Sequence, residues 1–156
     1  MATRVQNRQR LLQKLAAMPP QVRAAAKQAL AESADEIQGM QRRLAPKRTG
    51  RLARSIVQTW GGGKERYASL AGSAMSDGDP DLTVVISAGN SETRYAHLVE
   101  FGTAPHDNGG TTKGSKHPGA RAQPFFFPAY RALRKRAKSR VNRAMTKAIK
   151  RITGGS

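Results

Sequence analysis

His97, His106 and His117 are the side chains of this 156-residue sequence best suited to metal or proton chemistry. With Asp107 beside them they supply the donor types of a zinc site. Their spacing argues against one. No His-x-x-x-His pair sets two imidazoles on a helix face, and His106 and His117 lie in a stretch rich in Gly, Lys and Thr. Solvated loop histidines are the simpler reading. Nucleophilic catalysis needs a Ser or Thr beside a His base and an orienting acid, and no segment groups them. Asp77, Asp79 and Asp81 alternate in SDGDPD, but the full D-x-[DN]-x-[DN]-G spacing and terminal Glu of a calcium loop are missing. A plain turn fits better. Gly61-Gly62-Gly63-Lys64 lacks the G-K-[ST] arrangement of a phosphate-binding loop and reads as a flexible hairpin turn. There are no cysteines, which removes thiolate catalysis, disulfides and Cys-based metal sites. Nothing here argues for an enzyme, a cofactor or a metal.

Charge carries more information. The formal net charge is +18, and it sits at the two ends. Residues 1–31 hold six Lys/Arg and no acid, residues 32–107 nine against ten acids, and residues 108–156 thirteen and no acid. A near-neutral body with basic ends suits a polyanion or an acidic protein surface; the alternative is solvated helix faces. The candidate contacts are Arg131, Arg134, Lys135, Lys138, Arg143, Lys147 and Lys150. Stacking aromatics are not interleaved with them, so any DNA contact would run through the backbone of double-stranded DNA, with strong salt dependence. No apolar run approaches the ~20 residues of a membrane span. The basic N-terminus lacks the apolar core of a secretory signal.

These residues must be positioned by a small set of elements. Residues 4–17 suit a short basic helix, broken at Met18-Pro19-Pro20. From Pro20 to Leu44, Val22, Ala26, Leu30, Ala34, Ile37 and Leu44 mark an apolar stripe at helical spacing. Ala45-Pro46 ends that helix, and Thr49-Gly50 makes a turn. Residues 82–88 read as the strongest strand, with the strand at 55–60 and a third piece at 65–71 as its partners. An antiparallel sheet covered on one face by the 20–44 helix follows. Residues 94–101 suit a short helix with Tyr95, Leu98 and Val99 turned inward and Gly102 as its stop. A mobile loop follows at 104–121. Pro128 suits the first turn of a helix running to about Ile152, with a stripe of Leu133, Ala137, Val141, Ala144, Met145, Ala148 and Ile152. The fold class is α+β: a small antiparallel sheet packed by a long N-terminal helix and a basic C-terminal helix. The organisation expected is one domain, 1–156, with an N-terminal arm at 1–19, the body at 20–152 and a frayed tail at 153–156. Hydrophobic residues make up 38% and aromatics 5%, which favours a core completed by oligomerisation or docking.

Six of the eight aromatic side chains, Tyr95, Phe101, Phe125, Phe126, Phe127 and Tyr130, fall between residues 94 and 130. Aromatics bury the most apolar area per residue, so a core is expected to be seeded there. Three pieces, APKRTGRLARSI (45–56), YAHLVEFGT (95–103) and AQPFFFPAY (122–130), precede the charged terminal helix. In this order they resemble the small tail-completion, or head–tail joining, proteins of long-tailed double-stranded DNA phages. These are the gene-product-ten-like tail components, also found in prophages and gene transfer agents. The matching positions are Pro46, Thr49, Gly50, Leu52 and Ser55 in the first piece. In the second they are Tyr95, Ala96, Val99, Glu100, Phe101, Gly102 and Thr103, and in the third Gln123, Pro124, Phe125, Pro128 and Ala129.

The resemblance implies a non-enzymatic structural protein of the virion neck, assembled in the bacterial host cytoplasm as a homo-oligomeric ring of six or twelve subunits. Its partners would be neighbouring neck, connector and tail-tube proteins. Tyr95, Glu100, Phe101, Gly102, Pro124, Phe125 and Phe126 are the expected interface residues. Glu100, an acid among apolar neighbours, is expected to pair with Arg51 or Arg54. The rival reading is a free-standing basic nucleic-acid-binding protein of the nucleoid-associated kind, with a nuclease a weaker third.

Overall fold

The computed structural model describes residues 13–64, 66–71, 79–109 and 113–154. Most of the basic helix expected over 4–17 and part of the Asp-rich turn lie outside them. A helical turn at residues 13–16 stops before Pro19, and α1 (Pro20–Leu44) begins at once. Pro20 occupies the first helical position, where its missing N–H leaves nothing unpaired. Pro46 ends α1 by holding Ala45 in extended backbone, as a proline does to the residue before it. A single turn, α2 (Arg51–Arg54), starts from Gly50 at φ 69° and leads into β1 (Val57–Trp60). With β2 (Leu70–Ala71) and β3 (Val84–Ala88) this makes an antiparallel sheet in the order β1-β3-β2. Val57 stands opposite Ser87, and Leu70 opposite Ala88. Then come α3 (Ala96–Phe101), a hairpin of β4 (His106–Asp107) and β5 (Lys116–His117), and α4 (Phe126–Thr153).

α1 and α4 pack antiparallel. Gln41 donates to the Phe126 carbonyl near one end at 3.1 Å, while Arg140 reaches Ser33 and Glu36 further along. Small residues let the helices approach closely: Ala26, Ala29, Ser33 and Ala34 are buried on α1, and Ala148 on α4. The α1 stripe therefore includes Ala29, Ser33 and Gln41, which periodicity of apolar residues had not counted. Leu44 is excluded from it and exposed, because the chain turns away at Ala45. On α4 the expected stripe is the covered face from Leu133 to Ala148, and Ile152 is exposed beyond it. The main core gathers at the sheet end of α1, where Phe125 and Ile56 are fully buried among Leu52, Leu70, Ala88, Ala96 and Phe126.

Three local expectations need correction. Gly61-Gly62-Gly63 is not a hairpin turn between neighbouring strands: all three have positive φ, but β3 lies between β1 and β2, so the segment opens a crossover. In α3, Tyr95 and Leu98 face outward at 39% and 41% exposure; Ala96 and Glu100 are the buried positions. The stretch at 104–121 is not a featureless loop either. Thr103 bridges Ala120, and the β4–β5 ladder extends the hairpin outward.

Candidate assembly surface

Helix α4 begins without a side-chain cap of its own. The first four N–H groups of a helix have no partner within it. Here the four positions are Phe125, Phe126, Phe127 and Pro128. Glu100, on α3 and 3% exposed, accepts the first three: Phe125 N–H at 2.7 Å and Phe126 N–H at 2.9 Å on Oε2, and Phe127 N–H at 3.0 Å on Oε1. The fourth position is a proline and has no N–H to satisfy. One carboxylate thus answers every orphan donor, and its negative charge meets the positive end of the helix dipole. This corrects the expected pairing with Arg51 or Arg54, neither of which bridges Glu100. Arg54 instead donates to the Thr49 carbonyl at 3.4 Å. Backbone amides solvate the buried acid in place of a guanidinium.

The junction is locked on its other side by glycine. Gly102 ends α3 at φ 74°, and a Cβ there would stand 2.6 Å from the Ala120 carbonyl oxygen and 2.8 Å from the Ala122 nitrogen. The returning chain lies flat against it: Gln123 N–H donates to the Val99 carbonyl at 2.8 Å, and Thr103 and Ala120 exchange backbone bonds at 2.9 and 3.1 Å. The first motif is structural in a similar way. Leu52 enters the core, and the Ser55 hydroxyl donates to the Leu52 carbonyl at 2.7 Å while accepting from Gly89 N–H at 3.1 Å.

What the junction presents outward is aromatic. Phe101 is 65% exposed and touches Phe127 at a ring-centroid distance of 5.9 Å; Tyr95, Leu98 and Pro124 are exposed on the segments either side. Of the seven expected interface residues, Tyr95, Phe101 and Pro124 can therefore meet a partner directly. Glu100, Phe125 and Phe126 are buried and hold the surface in place rather than form it, with Gly102 between the two groups. Leu98 belongs to the outward set and had been placed inside.

The charged residues divide as sharply. Arg140 and Arg136 on α4 bridge Glu36 at 2.7 and 3.0 Å. Arg23 bridges Asp79 and Asp81, and Lys27 bridges Asp81 at 2.6 Å. Arg23 holds the Asp79 carboxyl below the usual carboxylate range, helped by the N–H groups of Asp81 and Leu82. Lys27 first, then Arg23, does the same for Asp81. Two of these aspartates thus fasten the turn before β3 to α1. By contrast Lys135, Lys138, Arg143, Lys147 and Lys150 share one exposed surface with Arg151, without a carboxylate partner among the described residues. Arg131 is exposed, and Arg134 lines a different groove with Phe127 and Tyr130. His106 and His117 stack on the β4–β5 hairpin at 5.0 Å, both exposed, with His97 apart on α3. Among the described residues no group of three or more His, Cys, Asp or Glu is placed to hold a metal.

A family profile described as "HK97-gp10_like: Bacteriophage HK97-gp10, putative tail-component" matches residues 9–102. The chain belongs to this family. The HK97-gp10-like match contains the first motif and the second up to Gly102. The capped start of α4 and the whole basic helix lie beyond it. As a phage tail component the protein has a structural role in the virion, among other virion proteins. No curated protein and no solved structure matches. No helix among the described residues is long and apolar enough to cross a membrane. Sequence reasoning missed Glu100's role because its partners are backbone amides, which leave no residue-type signal. A signal did exist: a helix start reading Q-P-F-F-F-P offers no Ser, Thr, Asp or Asn at the cap, so the acceptor had to come from elsewhere.

Proposed function

We propose that this HK97-gp10-like protein completes the phage tail at the neck and joins it to the DNA-filled head, as one subunit of a homo-oligomeric ring. The whole chain acts as one domain, and its neighbours are connector, neck and tail-tube proteins. The observation that carries this reading is the solvent-facing Phe101, 65% exposed on a junction fixed by Glu100 and Gly102. A large aromatic held rigidly in water is an anchor awaiting a pocket, since interface hot spots are rigid aromatics that lose little entropy on docking. Tyr95, Leu98 and Pro124 extend the anchor to a patch. Membership of a tail-component family makes a neighbouring virion subunit the natural occupant.

The test is to delete the gene in its parent particle and image the lysate by negative-stain electron microscopy. Filled heads beside unattached tails of normal length are the expected result. Tails of uncontrolled length would move the role to tail termination. Intact, infectious particles would overturn the neck reading in favour of a free-standing basic protein.

A further inference from the structure

We propose that the outward face of α4 is a binding surface for the sugar–phosphate backbone of duplex DNA. Six cations, Lys135, Lys138, Arg143, Lys147, Lys150 and Arg151, line this one surface, all exposed; Lys147 and Arg151, at its edge, also border the α1–α4 groove that holds Glu32. Between them stand Ser139 and Asn142, side chains of types that also bond phosphate oxygens. From residue 135 to residue 151 the helix rises about 24 Å at 1.5 Å per residue. That length spans several successive phosphates.

Two observations choose the partner. The first is that a second copy of this chain has little to offer such a face. Glu32, Glu36, Asp79 and Asp81 are engaged in internal ion pairs, and Glu100 is buried under α4. Among the described acids only Asp35, Glu92 and Asp107 stay outside both arrangements. The second is composition. Protein–protein interfaces are enriched in aromatics and depleted in Lys and Ser. The span from Lys135 to Arg151 contains no aromatic and no acid, and four of its six outward cations are lysines. Lysine acts as a point charge toward phosphate, which suits non-specific contact with a backbone. The segregation of Arg136 and Arg140 toward Glu36 leaves the outward cations unneutralised by the fold itself. This inference stands independently of the neck assignment, and purified protein is enough to test it.

The measurement is fluorescence anisotropy of the full chain with a fluorescein-labelled 20-base-pair duplex of arbitrary sequence, across a range of sodium chloride concentrations. Six phosphate contacts predict a slope of log K against log salt of about −5. The triple variant Lys135→Gln, Lys138→Gln, Lys150→Gln should flatten that slope by about 2.7, three contacts' worth. Lys47→Gln, Arg48→Gln, Lys64→Gln removes the same charge from loops elsewhere and should leave the slope unchanged. Circular dichroism should show both variants folded, since Lys and Gln have similar helix propensities. Equal loss in the two triples would mean net charge alone drives binding and would overturn the assignment. So would displacement of the duplex by polyglutamate at equal charge concentration, which would make the face a site for an acidic protein.

Discussion

Glu100 holds three buried or half-buried N–H groups at once, so no neutral side chain replaces it well. In Glu100→Gln one carboxylate oxygen becomes an NH2 that faces an N–H, and the charge opposing the helix dipole is lost. A stranded donor in a buried site costs roughly 1–3 kcal/mol, more where the acceptor was charged. Glu100→Gln is expected to lower the free energy of unfolding by about 2–4 kcal/mol. Urea unfolding followed by circular dichroism would show it as a lower midpoint with an unchanged slope. A midpoint equal to the parent's would mean the cap contributes nothing. Glu100 and Phe101, adjacent residues on α3, have opposite duties, one buried at 3% and the other exposed at 65%.

Among the elements, α1 is the common support. It carries the sheet and α4 on its apolar side, and it holds the turn before β3 through Arg23 and Lys27. The direction of the pH effect follows from the two aspartates. Their folded-state pKa values lie below the unfolded ones, so the stabilisation is complete above the ordinary carboxylate value near ~3.9 and is lost as pH falls through the depressed values. Arg23→Met should be less stable than the parent at pH 6, and the gap between them should close as pH falls below about 4. Urea midpoints measured across that range would check it, and a gap that stays constant would remove the ion cluster from the account. Legibility in the sequence also divides by element. α1 was readable to the residue because prolines bracket it and apolar spacing repeats through it. α4 was readable because its stripe runs unbroken for five turns. Of the piece expected at 65–71 only its end is strand, as β2; the β4–β5 hairpin was not readable, since strands of two residues leave no alternation to detect. The pairing of β3 with strands on both sides was legible, because 82–88 is the most apolar and β-branched of the three segments. A triple glycine suggests a hairpin, yet whether the chain doubles back or crosses over depends on which strand has the more apolar faces to bury, and β3 takes the centre.

As a whole molecule, the protein separates its surfaces by chemistry. An aromatic patch lies at the α3–α4 junction and a cationic face along α4, so substitution should uncouple the two contacts proposed for them. Phe101→Asp removes an exposed ring, leaves the core untouched and is expected to shift unfolding by less than about 0.5 kcal/mol. It should nonetheless abolish the proposed ring assembly: in analytical ultracentrifugation the parent is expected to sediment as an oligomer and the variant as a monomer. Unchanged sedimentation would move the subunit contact elsewhere. The sequence carried the general outline of this arrangement through its charge distribution and motif order. It did not carry the inside-or-outside sense of α3, because a six-residue helix has too few turns for periodicity to define a face.

The hairpin between Thr103 and Ala120 has its base welded from both sides. Glu100 grips the start of α4 beneath it, Gln123 is tied to Val99, and Thr103 and Ala120 exchange hydrogen bonds at its root. Its ends are thus already held together, whatever lies between them. Lengthening a loop whose ends are fixed adds only a closure entropy that grows logarithmically, about 0.6 kcal/mol for each doubling. This hairpin, beside the aromatic patch, is therefore a place where residues can be inserted at small entropic cost while the contacts at its base keep their position. Related particles with differently shaped neighbours could be fitted by rewriting that projection alone.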